Sequence, residues 1–163
     1  MCIRDRNIRK QSGATTVEFA IIGVLAMTTL LAVLEVGRAF FVYNALEEVT
    51  RRGARMAAVC QVNANAINRV AVFNDSGSSA ASPVVAGLTP GNVVITYLNQ
   101  TGAPLTDPAG SFGQIRYVNV SIQNFTHSFL VPGLSAVFDT PRFSTTLPRE
   151  SLGVTRGEGL QSC

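Results

Sequence analysis

Histidine occurs once in this chain, at His127, and charged residues make up only 14% of the 163 positions. A single histidine leaves no His-based metal cluster, and the cysteines lack metal-ligand spacing. No Asp-x-Asp run exists to seed a calcium loop. Asp75, Asp107 and Asp139 stand in separate turn-like stretches, where Asp serves turn chemistry. The 14 glycines form neither a Gly-x-Gly-x-x-Gly fingerprint nor a phosphate-binding loop. The formal charge of +3 is too small to argue for nucleic acid. No basic run is interleaved with aromatic residues. These gaps set the expectation of a non-enzyme with no catalytic residues, metal or cofactor.

What the chain does have is one long apolar stretch. From Phe19 to Leu34 there is no charge, which is roughly 24 Å of helix. Val17 to Tyr43 is ample to cross a hydrocarbon core of about 30 Å, even when tilted. Arg4, Arg6, Arg9 and Lys10 precede the stretch and place the N-terminus in the cytoplasm by the positive-inside rule. Arg51, Arg52 and Arg55 compete from the other flank but lie farther away. Glu18 is the anomaly. A carboxylate in a membrane helix costs about 2.5 kcal/mol near the bilayer centre and less at the interface. A cleaved secretory signal fits poorly, because Glu18 sits where its apolar region would begin and the run exceeds about 15 residues. A plain signal anchor with an incidental Glu18 remains open.

Gly13 followed by Glu18, an aromatic residue and an apolar run looks like a type IV pilin-class processing site. The longer pattern is Gly13-Ala14-x-x-Val17-Glu18-Phe19-Ala20, Glu35-x-Gly37-Arg38, then Arg51-Arg52-Gly53-Ala54-Arg55-x-Ala57-Ala58. It resembles the TadE-like family of minor pilins or pseudopilins of the tight-adherence, Flp-type pilus system. The specific resemblance covers roughly residues 13–60. It implies a basic leader at residues 1–13 that a prepilin peptidase removes, leaving Ala14 as the first residue. It implies that Glu18, the fifth residue after the cut, pairs with the N-terminal amine of a neighbouring subunit. The implied partners are the bacterial inner membrane, the peptidase, other pilin or pseudopilin subunits and the assembly machinery. The implied role is in pilus biogenesis, adhesion and secretion-type assembly. The alternative is a single-pass envelope protein whose exported domain binds a partner and enters no filament.

Residues 35–59 lack proline and are rich in helix formers. The helix is therefore expected from Ala14 to Val59, roughly 69 Å if continuous, with residues 14–60 forming span and stalk. Glu35 and Arg38 are placed to pair at the membrane edge; Glu47–Arg51 and Glu48–Arg52 are placed to pair beyond it. Ala39, Val42, Leu46, Val49, Gly53 and Met56 offer one packing stripe. Residues 61–163 read as a β-rich exported domain. The pattern predicts a helical piece over 61–72, strands over 92–98, 114–125 and 142–147, and a loop over 99–113. In the middle strand Ile115, Tyr117, Val118, Val120 and Ile122 are read as the apolar set. The tail from Gly153 to Gln161 is glycine-rich and reads as mobile unless Cys163 holds it. The fold class is α+β, a long N-terminal transmembrane helix with a small antiparallel sheet packed on its C-terminal half.

Phe125, Phe129, Leu130, Val131, Leu134, Val137 and Phe138 make an apolar patch, either core or a partner surface. His127, beside it, reads as a strand-end packing residue. With the N-terminus inside, Cys2 stays cytoplasmic while Cys60 and Cys163 reach an oxidising compartment. They can bridge, closing a loop of about 100 residues, or stand as two unrelated thiols.

Overall fold

The computed structural model describes residues 13–128, 138–139, 143–155, 159–160 and 163. The basic leader up to residue 12, the apolar residues Phe129 to Val137 and part of the tail lie outside the described residues.

Helix α1 runs unbroken over Ala14–Val59, 46 residues. No proline interrupts it, and its alanines, leucines, glutamates and arginines are strong helix formers. It ends where Cys60 turns to extended backbone and a tight turn through Asn63, in the left-handed region, redirects the chain. A short helix α2, Asn65–Ala71, folds back beside it.

The rest of the head is β structure. Strands β1 (Val93–Leu98), β2 (Tyr117–Ile122) and β5 (Ser144–Pro148) form one antiparallel sheet in the order β1-β2-β5. The register pairs Val93 with Ile122 and Leu98 with Tyr117, then Tyr117 with Pro148. Two small hairpins complete the set. Strand β3 (Thr126–His127) pairs with β4 (Phe138–Asp139), and β6 (Val154–Thr155) pairs with β7 (Gly159–Leu160). The expected α+β class holds, with the sheet packed on the C-terminal half of the helix.

The core lies between that half of α1, α2 and the inner face of the sheet. Leu46, Val49, Ala54 and Ala57 from α1 are fully buried against Val118 and Val120 of β2 and Ile67 and Ala71 of α2. Burying each large aliphatic side chain contributes about 1.5–3 kcal/mol. The small residues Ala45, Gly53, Ala54, Ala57 and Ala58 let the sheet and α2 approach the helix axis. A hydroxyl pair, Thr50 Oγ1 and Thr145 Oγ1 at 2.8 Å, joins α1 to β5 inside this layer. Tyr43 meets Phe143 edge-on, with ring centres 4.8 Å apart.

Several expectations are corrected. The middle strand is shorter than 114–125, because Phe112–Gln114 forms a 3-10 turn and pairing begins at Tyr117. Tyr117 faces outward and Val118 inward, since neighbours on a strand cannot share a face. The last sheet strand is Ser144–Pro148 rather than 142–147. Thr126 and His127 form a short strand of their own, separate from the middle strand. The helix stripe is wider than drawn, adding Ala45, Thr50, Ala54, Ala57 and Ala58, while Ala39 and Met56 are only half-buried. Arg52 does not pair with Glu48; its guanidinium lies 5.3 Å from the centre of the Phe73 ring, a cation–π placement. The condition set for the tail is met: Cys163 lies against Cys60, and Gly153 N–H donates to the Val59 carbonyl.

Candidate functional site

Most residues of the N-terminal half of α1 are exposed. Its most apolar window is entirely unburied, and the helix is long and apolar enough to cross a membrane. Phe19 is 77% exposed and Leu34 69%. A helix that is apolar on every side requires an apolar surrounding. The polar groups inside this stretch are satisfied locally: the hydroxyls of Thr28 and Thr29 both donate to the carbonyl of Leu25. Such back-bonding removes the need for water.

Gly13 and Ala14 stand exposed at the head of this half. Gly13 already has helical backbone, and its carbonyl accepts from the N–H of Val17. Glu18 lies four residues after Ala14, on the same helix face one turn along, and is exposed. The structure thus sets Gly13, Ala14 and Glu18 together at one end, more than a hundred residues of chain away from the sheet's last strand. Scission after Gly13 would leave an α-amine one turn from a carboxylate.

The other named pair marks the junction with the head. Glu35 is buried, with Arg38 folded over it; Arg38 Nε donates to Glu35 Oε1 at 3.1 Å and Nη2 donates to the same oxygen at 2.5 Å. Arg38 Nη2 also donates to the backbone carbonyl of Ser128. That contact ties the β3–β4 hairpin to the helix. His127, buried beside it, has its pKa lowered from the usual histidine value. Burial is the first cause; the Arg38 charge adds to it, and Glu35 opposes it. Sequence reasoning identified Glu35 and Arg38 but missed Ser128 and His127 as their neighbours. No local spacing could find a contact 90 residues apart.

At the far end of α1 the C-terminal segment closes over the helix terminus. The carbonyl of Ala58 accepts from the N–H groups of Glu150 and Leu152, and that of Val59 accepts from the N–H of Gly153 and the hydroxyl of Ser151. These satisfy helix-end acceptors that would otherwise lack partners. Leu152 adopts φ 47° while its side chain is fully buried, and that burial holds the strained turn. The sulfurs of Cys60 and Cys163 lie 1.99 Å apart, with Cα atoms separated by 5.6 Å. The pair is thus at bonding distance beside the same helix end.

Among the described residues no three His, Cys, Asp or Glu side chains gather to hold a metal ion. The recesses on α1 are open apolar grooves, one lined by Val17, Ala20, Ile21 and Val24 and another by Val36, Ala39, Phe40 and Tyr43. The surface that stands out is an uncovered apolar helix segment with a charge near its start, continuous with the half of α1 that packs on the head.

Residues 13–55 match the family model described as TadE-like protein. No curated protein and no solved structure matches the chain.

Proposed function

We propose that this chain, whose residues 13–55 match the TadE-like family model, is a minor pilin or pseudopilin-like structural protein of Tad pilus assembly. The single observation that carries the reading is the placement of Gly13, Ala14 and Glu18 at the head of a helix whose most apolar window is entirely unburied. In this reading a prepilin peptidase removes the leader after Gly13. The helix waits in the bacterial inner membrane as a single span, leader side in the cytoplasm and head outside. It then enters or primes the filament alongside other pilin or pseudopilin subunits.

Glu18 gains its role from the apolar surroundings. A lone carboxylate there is costly, and pairing it with the Ala14 amine of a neighbouring subunit offsets the desolvation of both groups. Because few other charges exist along that helix half, such a pair fixes the axial register between subunits. No enzymatic step belongs to the proposal.

The test is Glu18→Ala in the native host. Membrane insertion and protein level should be unchanged, while pili counted by electron microscopy fall sharply. Normal piliation in that variant would remove the basis for the reading.

A further inference from the structure

The exposed side of α1 changes character abruptly, and not where its first charged pair stands. Up to Tyr43 its exposed side chains are overwhelmingly apolar, including Phe40 at 66%, Phe41 at 55% and Tyr43 at 49% exposure. From Asn44 onward the exposed positions are Asn44, Glu48, Arg51, Arg52 and Arg55, with only Val59 apolar. The apolar surface therefore continues about two helical turns past Glu35.

Length gives this excess a meaning. Ala14 to Tyr43 measures about 45 Å along the axis. That exceeds a hydrocarbon core of about 30 Å but matches the 40–45 Å of a bilayer with its headgroup regions. With Ala14 at one headgroup layer, the hydrocarbon ends close to Arg38. The three aromatic residues then fall in the opposite headgroup layer, where Tyr is enriched and Phe buries its ring at the headgroup–acyl boundary. Arg38 fits this level as well. It neutralises Glu35 and can keep its guanidinium toward the polar side.

Resting on the membrane-helix reading above, we infer that Phe40, Phe41 and Tyr43 form an interfacial collar that seats the head directly on the phospholipid headgroups. The occupant of this surface is lipid, continuous with the lipid around residues 14–34. The head then has no free stalk above the membrane: Tyr43 touches both the headgroups and, through Phe143, the head itself. Arg38 and the Ser128 carbonyl hold the β3–β4 hairpin at the same level.

The chain has no tryptophan, so a single introduced tryptophan is an unambiguous reporter. The full chain is reconstituted in phosphatidylethanolamine–phosphatidylglycerol vesicles as Val24→Trp, Phe40→Trp or Glu48→Trp. Quenchers are phospholipids brominated deep or shallow on the acyl chain, and aqueous iodide. Val24→Trp should lose emission to the deep bromines and Phe40→Trp to the shallow ones. Glu48→Trp should respond to iodide alone. If Phe40→Trp responds to iodide as Glu48→Trp does, the collar stands in water and the inference fails. If it responds to neither quencher, a second copy or another protein covers it, and the inference also fails. Loss of lipid quenching at Val24→Trp would overturn the membrane span itself, a separate and earlier failure.

Discussion

Gly53 faces Val120 so closely that a Cβ on the glycine would stand 3.0 Å from the valine Cγ1, and 3.3 Å from the Ala71 Cβ. Three elements meet at that point: α1, the central strand β2 and the short helix α2. Val120 is fully buried in the middle of the sheet, and the Ala71 methyl cannot rotate away. Alanine at a helix interior position gains about 1 kcal/mol over glycine, whereas overpacking a tight core costs about 1–3 kcal/mol. Here the second effect wins. Gly53→Ala is expected to destabilise the folded head by about 1 kcal/mol or more. Gly37, with nothing within 4 Å of its built Cβ, is the control: Gly37→Ala is expected to be neutral or stabilising by up to about 1 kcal/mol. Chemical denaturation of the full chain in detergent, followed at the head, measures both.

The Cys60–Cys163 contact predicts a second stability effect. Its sequence separation is 103 residues, and chain-entropy reasoning gives up to about 4.7 kcal/mol for a loop near that length. Because the hydrogen bonds from residues 150–153 to Ala58 and Val59 do not depend on the sulfurs, Cys163→Ser should weaken the head without unfolding it. The denaturation midpoint should fall, and reductant should lower the parent protein to the same value. Two free thiols in unreduced protein from the envelope, found by mass spectrometry, would contradict the pairing.

His127 predicts a pH dependence with a definite sign. Its native pKa is lowered by burial and by Arg38, so the unfolded chain takes up the proton first as the pH falls. Stability contributed by neutral His127 is fully present above the ordinary value of about 6.5 and is lost as the pH drops below it. The slope from one such group is at most about 1.4 kcal/mol per pH unit. His127→Gln should flatten the change in denaturation midpoint between about pH 7.5 and pH 5.5. An unchanged slope in that variant would assign the dependence to other groups.

Much of this arrangement was legible from the chain itself, because its causes are local. The proline-free run from Ala14 to Val59, the Glu35–Arg38 spacing and the apolar–polar alternation of Val118 to Ile122 each act over a few residues. What stayed hidden depends on contacts made through folding. Arg52 had Glu48 at a favourable helical spacing, yet the turn after α2 delivers Phe73 to it instead. Tyr117 had the composition of a core residue, but the register of β2 turns it outward. The segment Glu150 to Gly153 carried no periodic signal, because its order comes from the carbonyls at the end of α1. His127 and Ser128 joined the junction only through an arginine 90 residues away.

The central claim is that Gly13 and Ala14 form a processing site at the head of an assembly helix. The direct measurement is the first residue of the protein recovered from the envelope of its native host, read by N-terminal sequencing or intact mass. The account predicts Ala14, and it predicts an unprocessed chain when the host's prepilin peptidase is inactivated. A mature protein that retains residues before Gly13 while the peptidase is active would contradict it.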